Sequence, residues 1–351
     1  MNTIVFAQFA TNARTPDEIK HEHEYECREL KKLGLDLDVV VLDEHDEDKY
    51  INACKEYRII LCGGNPPLTE YVVECLPKCE VIIRYGVGIN SIDMDACAKH
   101  NKLVYFMPGY CKEELAIHAT ALILSLIRST AFYDRKMRKG EFPKARGILP
   151  RRLCNMVVGI YGFGTASIEL TKIMKNGFGA EVITCDPYVK PEFAEKYGAK
   201  LVSFEDLIAQ SDVISIHAPL TAETRHVFNK SVFQKMKPSA ILINTARGPL
   251  VDESDLYEAL VNKEIAGAGL DVFEKEPVTE DNPLLQLDNV VLTPHSAFHG
   301  EEAGKIQFEY SVDFMRGYLV DKVIYSNCVG NKKVLPFFEN LNYEIKARYE
   351  K

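Results

Sequence analysis

The sequence predicts an α/β protein built on two doubly wound, mostly parallel sheets. Three observations lead there. Short apolar runs rich in β-branched residues alternate with amphipathic runs along the whole chain. The 351 residues are long for one core and comfortable for two. A continuous helical pattern over 109–130 divides the alternation into an earlier and a later series.

The earlier series opens with TIVFAQFA (3–10), followed by a charged helical pattern over 16–33 and the strand candidate LDVVVL (37–42). RIILCG (58–63), a helical run over 69–76, VIIRYG (81–86) and KLVYF (102–106) continue it. The 109–130 helix sets Leu115, His118, Leu122 and Leu126 on a wide apolar face. RKMRKGEFPKARGILPRR (135–152) is basic, broken by Gly and Pro and poor in apolar residues, and reads as a connecting segment. The later series predicts strands at 156–161, 181–185, 212–217, 239–245, 266–273 and 289–293, with helices between them. A final helix over 301–318 carries Ile306, Phe308, Val312, Phe314 and Met315.

Composition narrows the function classes. A net charge of -9, with Lys and Arg scattered, argues against a nucleic-acid partner, which needs a basic stripe. Cys75 and Cys79 lack a second pair at zinc-finger spacing, so no metal is expected, and ten spread cysteines suit free thiols in a reducing cytosol. The N-terminus lacks a signal-peptide pattern. The longest apolar stretch, 115–127, is too short to span a bilayer and carries His118. The expectation is a soluble cytoplasmic protein with no membrane partner.

VVGIYGFGTAS (157–167) has two glycines of a dinucleotide-binding turn, with Ser167 where the third belongs. On the glycines alone, a βαβ turn without a ligand is an equal reading. The context favours a nucleotide: a strand candidate precedes the turn, a helical pattern follows, and Asp186 stands 22 residues past Gly164 at the next strand end. Gly162 permits the tight turn, and Gly164 lets backbone approach a pyrophosphate at the helix N-terminus. Asp186 would accept ribose hydroxyls and repel a 2′-phosphate, and no Arg stands beside it, so NAD is favoured over NADP.

Beyond Asp186 the chain runs SDVISIHAPLTAETRHVFN, MKPSAILINTARGPLVDE, AGAGLDVFEKEP and NVVLTPHSA. With RYGVGINSIDMDACAKH and PGYCKEELAIHATALILSLIR upstream, it resembles the NAD-dependent D-isomer-specific 2-hydroxyacid dehydrogenases over roughly 80–320. YCKEELAIHA and PHSAFHGEEA are most similar to the bacterial branch near phosphoglycerate dehydrogenase and the C-terminal-binding proteins. The resemblance implies two Rossmann-like/flavodoxin-like domains: a discontinuous substrate domain, 1–106 plus 300–351, and an NAD-binding domain over 107–299. It also implies a homodimer through the 109–150 helix and arm.

Reduction of a 2-oxo acid needs a carboxylate clamp, a proton donor for the carbonyl oxygen, and a group that holds the donor charged and aimed. Arg247 in NTARG offers a planar two-point grip, His295 in LTPHS can shuttle a proton, and Glu276 in DVFEKEP can orient the imidazole. These match the family's Arg/Glu/His set. The resemblance assigns the carboxylate turn to Gly86, Val87 and Gly88. It places Phe163, Thr165, Ala166, Pro187, His217, Ala218, Pro219, Thr224, Thr245, Ala246 and Asp271 around the coenzyme, with Gly162, Gly164 and Asp186. The substrate's side chain is expected to meet the loop from Phe9 to Arg14, Arg84 or Tyr85, and Phe298.

Three positions depart from the family: Ser167, Asn90-Ser91 where Asp-Asn is common, and Ile117 where an acid usually precedes His118. No regulatory domain is expected after residue 330. An NAD(H)-sensing scaffold like the corepressors is the rival from another class, and formate oxidation is a weaker one.

Overall fold

The computed structural model describes residues 3–9, 15–42, 46–64, 66–143 and 150–348. The chain divides into two compact units, Met1–Tyr110 with Glu301–Lys351, and Cys111–Gly300.

The first unit holds a five-stranded parallel sheet in the order β2-β1-β3-β4-β5. Its strands are β1 (Ile4–Phe9), β2 (Leu37–Leu42), β3 (Ile59–Cys62), β4 (Val81–Arg84) and β5 (Leu103–Tyr105). β3 is buried at every residue, which is why it reads as an unbroken apolar run. One core of this unit gathers Val5, Ile60 and Ile82 with Tyr50, Val72, Val73 and Ala96 from the flanking helices. The pattern over 16–33 forms two helices, Pro16–Glu22 and Glu24–Lys32, that meet at a buried His23. The Glu301–Arg316 helix packs on the second of them. A short parallel pair, Val323–Tyr325 with Glu344–Lys346, escaped the sequence reading because each strand has only three residues.

The second unit holds seven parallel strands in the order β12-β11-β10-β9-β6-β7-β8. They are β6 (Val157–Tyr161), β7 (Glu181–Cys185), β8 (Lys200–Leu201), β9 (Val213–Ile216), β10 (Ile241–Asn244), β11 (Gly267–Leu270) and β12 (Val290–Leu292). Strand order reverses between β6 and β9, the switch point where open α/β sheets receive ligands. The predicted strands overshoot: β9 ends before His217, β10 before Thr245, β11 before Asp271 and β12 before Thr293. The expected site residues therefore stand just beyond the carboxyl ends of the strands.

The long helix, Lys112–Arg128, lies across β10, β11 and β12. A Cβ on Gly269 of β11 would come 3.0 Å from the Leu122 Cβ, so the glycine lets the helix lie close. The helix stops at Ser129, whose φ of 54° is left-handed, and a second helix, Thr130–Arg138, leaves at a bend of 66°. The expected connecting segment is thus helical as far as Arg138. This helix buries no residue, and its Arg- and Lys-rich second half reads as a solvated segment; its Ala, Arg, Lys and Met carry it by intrinsic propensity. No single helix among the described residues is long and apolar enough to cross a membrane.

Candidate active site

The coenzyme turn follows β6 and opens the Thr165–Lys172 helix. Gly162 sits at φ 87°, and a Cβ there would lie 2.7 Å from the Ala218 backbone nitrogen, so any side chain would be strained and would collide with the next loop. A Cβ on Gly164 would meet nothing within 4 Å, and Gly164 caps the helix with no side-chain hydrogen bond, so no capping side chain takes its first N–H groups. The expected packing variant Ser167 has a further part: its buried hydroxyl donates to the Gly162 carbonyl at 2.7 Å and ties helix to turn. One Asp186 oxygen accepts Phe163 N–H and the other accepts Tyr188 N–H, both at 2.8 Å. The carboxylate is thereby held at the strand end with lone pairs left for ribose hydroxyls.

His217 is half-buried, with Nε2 2.8 Å from Ser215 Oγ, and burial lowers its imidazole to about 4. It is therefore uncharged at neutral pH. The Thr224 hydroxyl donates to the Pro219 carbonyl at 2.8 Å, which makes it a brace of the 219–224 loop. Thr245 Oγ1 is buried without a hydrogen-bond partner, beside the end of β10. An orphaned hydroxyl, a glycine cradle and a ribose-ready carboxylate are the parts a bound dinucleotide requires, so the residues fit NAD.

Arg247, Glu276 and His295 follow β10, β11 and β12, three neighbouring strands. His295 Nδ1 lies 2.7 Å from Glu276 Oε2, while Glu276 Oε1 accepts the Phe273 N–H at 2.9 Å. The backbone bond fixes the carboxylate, and the carboxylate makes Nδ1 the donor, so Nε2 is the nitrogen left for chemistry. Asn244, 1% exposed and missed by sequence reasoning, shapes the Arg247 turn. Its oxygen accepts Ala246 N–H at 3.0 Å and its amide donates to Arg247 O at 2.9 Å. The following Gly248 packs against the Phe273–Glu274 backbone, which brings the Arg247 turn onto the Glu276 loop.

Asp271 is 1% exposed, and its carboxylate accepts Ser296 N–H at 2.9 Å and Ala297 N–H at 3.0 Å. It thus anchors the His295 loop. His226, also missed, stands 2.6 Å from Glu274 Oε1 and 3.4 Å from Asp252, bracing the same Glu276 loop. His295 itself has a φ of 51°, a left-handed conformation that costs a non-glycine residue about 1–2 kcal/mol. Phe298 lies 6.2 Å from the His295 ring, edge to face.

In the first unit the Gly86–Gly88 turn follows β4, with Gly86 at φ 141°. Arg84, considered for a second anion, donates to the carbonyls of Gly88 at 3.0 Å, Tyr85 at 2.8 Å and Cys62 at 3.4 Å, which organises the turn. The Tyr85 hydroxyl bonds the fully buried Glu26 and lies 3.0 Å from Ser311 Oγ, while its ring packs on Phe6 and His23. Residues 10–14 of the expected substrate loop lie outside the described residues, as does the Phe9 side chain.

Residues 120–297 match the model for "D-isomer specific 2-hydroxyacid dehydrogenase, NAD binding domain". The chain is 36% identical over 299 residues to a D-3-phosphoglycerate dehydrogenase of Archaeoglobus fulgidus, covering 84% of this chain and 56% of that protein. It is 36% identical over 265 residues to a glyoxylate reductase of Korarchaeum cryptofilum, covering 74% and 80%. A D-lactate dehydrogenase of Aquifex aeolicus, solved with NAD and lactic acid, superposes with a TM-score of 0.77 at 30% identity, covering 90% of this chain and 95% of that one. The chain spans little more than half the length of the phosphoglycerate dehydrogenase it matches. It belongs to the D-isomer specific 2-hydroxyacid dehydrogenase family, with an NAD-binding domain over residues 120–297.

Proposed function

We propose that the protein reduces a 2-oxo acid to a D-2-hydroxy acid with NADH, and runs the reverse oxidation with NAD. The substrate would be of the hydroxypyruvate/glyoxylate, 3-phosphoglycerate or D-lactate type. The observation that carries this is the 2.7 Å His295–Glu276 pair beside the Arg247 turn, at the carboxyl ends of three adjacent strands. NADH supplies the hydride. Arg247 grips the substrate carboxylate. His295 Nε2 gives its proton to the carbonyl oxygen, and Glu276 balances the imidazolium that must form beforehand. The uncharged His217 avoids placing a cation beside the oxidised nicotinamide.

NADH consumption across glyoxylate, hydroxypyruvate, pyruvate, phenylpyruvate, 2-oxoglutarate and 3-phosphohydroxypyruvate tests the reading. At least one acid should be turned over to the D product, with NADH preferred to NADPH because Asp186 repels a 2′-phosphate. No turnover with any of them, despite NADH binding, would leave the scaffold reading; NADH formation from formate alone would leave the other.

The proposal includes a homodimer through the 109–150 helix and arm. Ile117, Met137 and Phe142 expose 61%, 53% and 86% of their surface there. A groove of about 690 Å³, lined by Leu126, Phe132, Ile241, Ile265 and Val291, opens in the same unit. Both features suit burial against a second copy. Residues 144–149 of the arm lie outside the described residues. Light scattering should give twice the 39.7 kDa chain mass, and a one-chain mass at micromolar concentration would refute the dimer. A cytoplasmic location is also proposed, on the ground that all ten cysteines are free.

A further inference from the structure

His118 has no part in the reaction as proposed, yet it reaches the loop that carries the proton donor. It projects from the Lys112–Arg128 helix, and its Nε2 lies 2.9 Å from Thr293 Oγ1 and 3.5 Å from Asp271 Oδ1. The Thr293 hydroxyl donates to that same Asp271 oxygen at 2.5 Å. A hydroxyl has one hydrogen, so toward His118 it can only accept, and Nε2 is therefore the protonated nitrogen. The result is a directed chain, His118 Nε2–H to Thr293 O–H to Asp271 carboxylate.

Asp271 hands the constraint on. Its backbone carbonyl accepts His295 N–H at 2.7 Å, its Oδ1 accepts Ser296 N–H and its Oδ2 accepts Ala297 N–H. Three successive N–H groups thus converge on one buried residue, and the first belongs to His295 in its left-handed conformation. Among the described residues, His118 is the one basic side chain within ion-pair reach of Asp271. Without the Thr293 link, the buried Oδ1 would keep the Ser296 N–H and the long Ser296 hydroxyl contact at 3.5 Å and lose its short hydroxyl donor.

We propose that His118 is a positioning residue for His295: through Thr293 and Asp271 it holds the Thr293–Ala297 loop so that the imidazole is aimed at the substrate oxygen. This rests on His295 being the proton donor. A polar group acting through a second residue on a reacting one typically changes rate about 10–100-fold.

The test compares His118→Leu, His118→Gln, Thr293→Val and Thr293→Ser in the intact protein, with His295→Ala as reference. Gln places an amide N–H where Nε2–H stands, and Ser keeps the hydroxyl, so those two variants retain the chain. His118→Leu and Thr293→Val should lower kcat for 2-oxo acid reduction about 10–100-fold, with NADH Kd unchanged within about twofold. His118→Gln and Thr293→Ser should recover most of that loss. Wild-type kcat in His118→Leu and Thr293→Val, with His295→Ala inactive, overturns the inference and leaves the functional reading standing. Equal loss in His118→Leu and His118→Gln, or loss matched by weaker NADH binding, also overturns it. Full turnover in His295→Ala would remove the functional reading first.

Discussion

Replacing His295 with alanine is expected to lower turnover of the 2-oxo acid about 10²–10⁴-fold, equivalent to about 3–5 kcal/mol of barrier. NADH binding should persist, because the coenzyme turn, Gly162 to Ser167, and Asp186 do not involve the imidazole. The chain has no tryptophan, so direct excitation of NADH reports binding while steady-state consumption reports turnover. The pH dependence has a definite sign. Reduction consumes a proton and the reverse oxidation releases one, so kcat for reduction should fall as pH rises while the reverse oxidation should gain. In His295→Ala both limbs should vanish. Wild-type turnover in the variant, or an unchanged pH limb, would remove His295 from the mechanism.

Gly248→Ala is the other large effect. A Cβ there would stand 1.9 Å from both the carbonyl carbon and oxygen of Phe273 and 2.5 Å from the Glu274 nitrogen. These are backbone atoms and cannot turn aside, so either the Arg247 turn or the Phe273–Glu276 loop must move. Overpacking of this kind costs about 1–3 kcal/mol or more, roughly a 3–10 °C fall in melting temperature for a unit of this size. Activity should fall further than stability, because the shift parts Arg247 from the Glu276–His295 pair. A Gly248→Ala protein with unchanged melting temperature and unchanged kcat/KM would show that the two loops are not packed as described.

Part of the candidate site is written in local sequence. Gly162, Gly164 and Asp186 are local signals, since turn geometry and strand-end spacing are written in neighbouring residues. Arg247 and His295 follow apolar runs whose ends can be counted from pattern, whereas Glu276 is set apart from the nearby Glu274 only by the resemblance's spacing after Asp271. Other elements left no such trace. Thr130–Arg138 buries nothing, and its Arg- and Lys-rich second half reads as a solvated segment. Asn244 acts through two bonds to backbone, and His226 through proximity to the carboxylates of Glu274 and Asp252, and no spacing rule marks either. Tyr85 was expected to face substrate, but its hydroxyl is held by Glu26 and Ser311, one of them 59 and the other 226 residues away.

Alone, the sequence determined the two α/β series, the glycine turn with its acid, and the residue types able to clamp a carboxylate and move a proton. Those features follow from period, propensity and spacing, which are properties of short segments. Tertiary structure decided which strands are neighbours, and hence that Arg247, Glu276 and His295 share one sheet edge. It also decided that His118 meets Thr293 across 175 residues. The reason is that strand order and helix placement are set by burial of whole faces against one another, a quantity summed over the unit, which no short segment contains.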